Sequence, residues 1–326
     1  MPASHGSEEG EKLVLNWTNR LGDKAYFPDY VSFFSHELSR LGRVGVLNKY
    51  FVELIPALWT AAFHCLIHTG FALFANHDES LSRGLAYFSS SFRILDPNID
   101  SIQVDNVVEA DIWTVLGDIC LEDEVWKVVS KTRGFQNRLH FLAQHDSLLQ
   151  SLTSHFARIK AGFAKIGSTQ ELTQILGQST FKLFFSCGSN DFFLLHAITA
   201  FHALKPILLY LKEERDRRLA LLHFTFALLA TYIVRDRPTI DASRQPVSLF
   251  SSPPTPTHIQ EQWAYIMEKA IRYEDEHVIK LVYVAKWNFD QEELQEMDDD
   301  QAKLLYLATA KETIDKVQND GCGWRF

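Results

Sequence analysis

LIPALWTAAFHCLIHTGFALF (residues 54–74) is apolar almost throughout, yet it carries two imidazoles, His64 and His68, four positions apart. Two more runs share this character: FFLLHAITAFHALKPILLYL (192–211) and LALLHFTFALLATYIV (219–234). A membrane-spanning helix needs about 20 consecutive apolar residues. The last run is short for that, the second has Lys205-Pro206 inside it, all three hold histidine, and the mean hydropathy of the chain is −0.10. They are therefore expected to be buried helices of an all-α protein with no membrane span.

The same periodicity extends outward. Residues 28–51 alternate polar and apolar positions at helical spacing and lead into the first apolar helix through Pro56, a residue suited to a first helical turn. A helix over 78–95 is expected to stop at Asp96-Pro97-Asn98, the polar stretch 99–116 is ambiguous, and 117–176 reads as helical. Gly188-Ser189-Asn190-Asp191 offers a turn and an N-cap to the helix that holds His196. Five of the ten prolines fall within 235–260, which marks a loop or lid. Residues 260–286 then read as strongly helical and 290–318 as an acidic amphipathic helix. No internal repeat and no βα alternation is present. The expected organisation is a flexible tail over 1–20, a single large helical bundle-like domain over 21–318, and a tail over 319–326.

Composition narrows the function. The 326 residues are 46% hydrophobic and 22% charged, with 24 Phe, which suits a thick core or an aromatic-lined pocket. The formal charge of −9 argues against nucleic acid as a partner, since phosphate binding rests on Lys and Arg. The four cysteines (Cys65, Cys120, Cys187, Cys322) form no CxxC pair, and the polar, acidic start MPASHGSEEGEK lacks a secretory pattern. Reduced thiols in a cytoplasmic protein are expected.

On a helix, positions i and i+4 share a face, so His64 and His68 can aim at one point, the arrangement with which two imidazoles hold a metal. The glutamate of the HExxH pattern is missing, because Cys65 follows His64, and zincin chemistry is excluded. A bare HxxxH equally describes histidines satisfied by hydrogen bonds in a core. His196 and His202, six residues apart, turn about 240° around a regular helix and should not both reach one point. One is expected as a ligand and the other as a neighbour. His196 is favoured by the turn before it, and His202 is a candidate catalytic neighbour close to an expected kink at Pro206. His277 and Lys280 fall i,i+3 on a third helix, YEDEHVIKLVYVAKW (273–287). Glu274 with His277 also matches the Glu-x-x-His pair of di-iron bundles, but the further glutamates that such a site needs are not offered. An inward lysine can snorkel, act as a nucleophilic amine, or take up carbon dioxide and become an oxygen ligand. His223 is expected in the core or lining a pocket.

Three segments taken in order, PALWTAAFHCLIHTGFAL, FFLLHAITAFHALKPIL and DEHVIKLVYVA, resemble the signature segments of the questin oxidase-like family. The likeness spans about residues 28–287. It implies an all-α fold and a mononuclear non-heme Fe(II) held by histidines with a carboxylated lysine. The activity it implies is oxygenase ring opening, Baeyer–Villiger-like or dioxygenase, on an anthraquinone-type polycyclic aromatic. Carried over by motif, the metal positions are His64, His68, His196, His277 and Lys280, with dioxygen and a small hydrophobic aromatic compound as partners. NADPH would serve as an external reductant, because no GxGxxG or P-loop is present. Two other readings stay open on the residues alone: a metal-free helical binding protein for a hydrophobic ligand, and a zinc-dependent hydrolase on the same cluster.

Overall fold

The computed structural model describes residues 16–96, 99–250, 255–294, 300–319 and 323–326. Most of the expected N-terminal tail (1–15), the Pro97-Asn98 stop, Pro253-Pro254, residues 295–299 of the expected acidic helix, and Cys322 lie outside these. The fold is all-α: among the described residues there is no strand, and one isolated bridge joins Asp191 to Arg325. Thirteen described helices of eight residues or more follow in order: α1 (Phe27–Val46), α2 (His64–Phe74), α3 (Asp78–Ser90), α4 (Ile112–Leu121), α5 (Asp123–Ser130), α6 (Phe135–Gln144), α7 (Asp146–Ala164), α8 (Thr169–Ser186), α9 (Phe192–Tyr210), α10 (Glu214–Val234), α11 (Pro256–Tyr273), α12 (Glu276–Leu294) and α13 (Asp300–Ile314). Helices α9 and α10 are long and apolar enough to cross a membrane, and both are mostly buried within the protein. Cys65 and Cys120 are free thiols.

The chain forms two compact units. One comprises Met1–Thr173 with Ala200–Asp236, and the other Gln174–Thr199 with Arg237–Phe326. In the first, α3 packs against both α1 and α2, while α10 packs against α5, α6 and α7. From Ala220 onward α10 is buried at nearly every position, and an apolar helix free of a polar face belongs in such a place. Trp17, Phe33, Phe34 and Tyr50 form an aromatic cluster with centroids 5.0–6.4 Å apart. In the second unit α11, α12 and α13 pack pairwise. There the buried Glu312 accepts from Ser189 Oγ at 2.6 Å, pairs with Arg244, and lies 3.1 Å from Lys316 Nζ, so its charge is compensated.

Two expectations about local structure are corrected. The 54–74 run is not one helix. Pro56 opens a single 3-10 turn (Ile55–Ala57), and the chain then passes through three consecutive left-handed residues, Ala61 (φ 53°), Ala62 (φ 53°) and Phe63 (φ 66°), before α2 begins at His64. Side chains with a Cβ adopt this conformation at a cost of about 1–2 kcal/mol per residue, so surrounding packing must hold it. Phe63 is buried against Phe224 at 5.9 Å between ring centroids, which supplies part of that packing. The expected helix over 260–286 is broken: α11 ends at Tyr273, Glu274 is left-handed (φ 60°), and α12 restarts at Glu276. Glu274 and His277 therefore do not share a helical face, which removes the di-iron pairing. The 117–176 stretch is helical as read, divided among α4 through α8.

The turn before α9 forms as its sequence suggests. Asp191 Oδ1 accepts from the backbone N–H groups of Phe193 and Leu194, both at 3.1 Å. The helix continues through Pro206 to Tyr210. The irregular 235–260 segment contains a short 3-10 turn (Pro246–Leu249), and its last residues already belong to α11, which is capped by Thr255.

Candidate functional site

In the first unit, the left-handed turn delivers the carbonyl of Ala61 to the ring of His64, 2.6 Å from Nδ1. A carbonyl oxygen can only accept, so Nδ1 is the donor of this contact. His64 is half-buried at the head of α2. His68, one turn on, is turned outward and exposed. Partial burial and then the charge of Arg83 lower its pKa.

His202 also belongs to this unit, on the later part of α9. It is buried, stacked on Phe74 (centroids 4.5 Å, planes 10° apart) and tilted against Phe71 at 5.6 Å. Burial, reinforced by Lys205, pushes its pKa down to about 3, so the ring is neutral at pH 7. The folded-state pKa lies below the unfolded value of 6.5, so the stabilisation is complete above that value and drains away as pH falls toward the folded one. The slope from this residue is about 1.4 kcal/mol per pH unit. Replacing His202 by Phe should flatten the acid side of a stability–pH curve measured by urea titration. Equal slopes in the two proteins would contradict this. His223 on α10 is also buried, with Nε2 2.8 Å from Asp100 Oδ1.

In the second unit, α9 and α12 bring His196 and His277 together. Their ring centroids are 5.3 Å apart, and a ring nitrogen of one lies within 4.8 Å of a ring nitrogen of the other. Each is oriented through Nδ1. His196 Nδ1 is 2.6 Å from the carbonyl oxygen of Phe192, one turn back on its own helix. His277 Nδ1 is 3.3 Å from Asp275 Oδ1, which also accepts from the His277 backbone N–H at 2.8 Å. Burial by itself would raise the Asp275 pKa. The Trp324 indole N–H, the His277 backbone N–H and the His277 ring outweigh it and hold the carboxyl below its ordinary range. An ionised carboxylate is an acceptor only, so Nδ1 is the donor of this contact. The Phe192 ring lies 4.6 Å from His196 and 4.7 Å from His277, between centroids.

Lys280 is half-buried on α12, and its Nζ is 3.4 Å from Glu276 Oε2. The other oxygen of Glu276 stands 3.8 Å from His277 Nε2. The ring orientations come from groups that a motif reading passes over. Asp275 could have been found as an Asx residue at the foot of a helix, two places before a histidine. The Ala61 carbonyl and Trp324 have no local signal.

Buried or half-buried imidazoles whose Nδ1 donates to a fixed acceptor are a donor set that can bind a divalent transition metal through Nε2. His64, His196 and His277 each have this form. No curated protein matches the chain. The model of the questin oxidase-like family matches residues 2–285, and with that match covering most of its length the chain belongs to the questin oxidase-like family.

Proposed function

We propose that the protein is a non-heme iron oxygenase acting on a flat, hydrophobic polycyclic aromatic compound of the anthraquinone type. The family's oxidase character supports an oxidoreductase. The observation that carries the iron assignment is the juxtaposition of His196 and His277 in the second unit, with ring centroids 5.3 Å apart and each ring held through Nδ1. These two would hold the metal. Lys280 would support the shell, in carboxylated form if it leaves Glu276. Imidazole nitrogens suit Fe(II), which would supply Lewis acidity and open positions for dioxygen and substrate.

The chain's own residues would do the rest. Phe192 and Phe193 surround the His196 imidazole with apolar area, which limits water and offers faces on which a planar ring system can stack. Insertion of a single oxygen atom also consumes two electrons, for which NADPH is the proposed outside donor.

Metal analysis combined with oxygen-electrode measurements on a polycyclic quinone tests this. About one equivalent of iron per chain and oxygen uptake coupled to substrate loss are expected. A protein that takes up no iron, or that turns the substrate over without oxygen, would overturn the proposal; the second outcome would favour a zinc-type hydrolase.

A further inference from the structure

The residues Trp324, Arg325 and Phe326 lie beyond the stretch matched by the family model, and they reach both histidine-bearing helices of the second unit. On the α12 side, Trp324 Nε1 donates to Asp275 Oδ2 at 2.8 Å, while the other oxygen of that carboxylate faces His277 Nδ1. On the α9 side, the backbone of Arg325 pairs in both directions. Its N–H donates to the Asn190 carbonyl at 2.8 Å, and its carbonyl accepts from the Phe192 N–H at 2.9 Å. The Arg325 guanidinium adds a hydrogen bond to the Cys187 carbonyl at 2.9 Å and lies 3.6 Å from Asp191 Oδ2, the residue that caps α9. The ring of Phe326 rests on Phe192 at 4.6 Å.

We propose that Trp324 and Arg325 are positioning residues that set His277 and His196 relative to each other, Trp324 through the Asp275 carboxylate and Arg325 through the start of α9. The logic is that of a second coordination shell. A metal-binding imidazole depends on its other nitrogen for tautomer and ring orientation, and the group that fixes this partner matters almost as much as the ligand. Asp275 has two oxygens on a rotatable bond. The indole anchors one of them, so the other stays directed at His277. Fixing the first turn of α9 likewise fixes the Phe192 carbonyl that orients His196. One short piece of chain therefore governs both rings, and the indole N–H, rather than ring bulk, is the operative group on the α12 side.

The affinity arm of the test rests on the metal-binding reading above, and the tautomer arm does not. Full-length protein treated with chelator is compared with Trp324→Phe, Arg325→Ala and, as a control for packing alone, Phe326→Ala. Long-range proton–nitrogen NMR reads the tautomer of His277, assigned by the signal lost in His277→Ala. The visible absorption of added Co(II) reads metal affinity. Wild type should show a single tautomer with the proton on Nδ1, and Trp324→Phe a mixture of both. The dissociation constant for Co(II) should rise about 10–100-fold in Trp324→Phe and Arg325→Ala, and stay unchanged in Phe326→Ala. Asp275→Asn, nearly isosteric, should reproduce the tautomer mixture and serves if Trp324→Phe fails to fold. An unchanged His277 spectrum in Trp324→Phe and Asp275→Asn, or an equal loss of affinity in Phe326→Ala, would overturn the proposal. If wild type binds no Co(II), the metal reading fails and the tautomer comparison still decides the role of Trp324.

Discussion

Replacing His277 or His196 by alanine is expected to empty the proposed iron site while leaving the helices in place. Removal of an outer partner of a metal-bound imidazole already costs about 10–100-fold in affinity, so loss of the imidazole itself should cost more than about 100-fold. Iron recovered per chain should fall close to zero in each variant. His277 is half-buried, at the foot of α12, where alanine is tolerated and the cap from Asp275 to the backbone persists. His196 is buried, and its replacement also opens a small void, so it should unfold somewhat earlier. The double variant should lose little more than either single one, because ligands of one metal act as a unit. Metal content by mass spectrometry, with circular dichroism as the check on folding, reads the outcome. Iron retained at wild-type level in both single variants would remove them from the ligand set.

The second large effect is expected at Gly70, on the helix that carries His64. A methyl group built there would lie 2.5 Å from Ala203 Cα and closer still to the Ala203 carbonyl oxygen. Both obstacles are backbone, so no side-chain rotation relieves the clash, and α2 and the later part of α9 must move apart. Overpacking typically costs about 1–3 kcal/mol, and this contact belongs at or above the upper end. Gly70→Ala should therefore lower the thermal midpoint by many degrees or prevent folding, although alanine is the better helix former. A midpoint within a degree or two of wild type would show that the two helices do not meet this closely.

The histidines and their helices were legible in the sequence because the signal is local. An apolar helix interrupted by imidazoles stands out at positions 64, 196 and 277, and the Asp191 cap announces itself by residue type and place. What escaped depends on contacts distant in the chain. Nothing in Ala61-Ala62-Phe63 suggests three left-handed residues, since neither glycine nor asparagine marks the turn; buried Phe63 and its packing impose it. The break at Glu274 likewise hides inside a good helical pattern, and it decides that His277 is oriented by Asp275 rather than paired with Glu274. Lys280 was expected to face inward, and it lies half-buried beside Glu276, a neighbour that the i,i+3 pairing with His277 left out of account. Helical angles keep His196 and His202 from one point and the turn before α9 favours His196; the first ring lies beside His277 and the second stacks on Phe74.

X-ray absorption at the iron K-edge, on protein loaded with one equivalent of Fe(II), addresses the iron assignment most directly. The account predicts a shell of nitrogen and oxygen donors with the outer-ring scattering of at least two imidazoles, reduced by one in each of His196→Ala and His277→Ala. A protein that stays free of iron, or a shell that none of these substitutions alters, would contradict it.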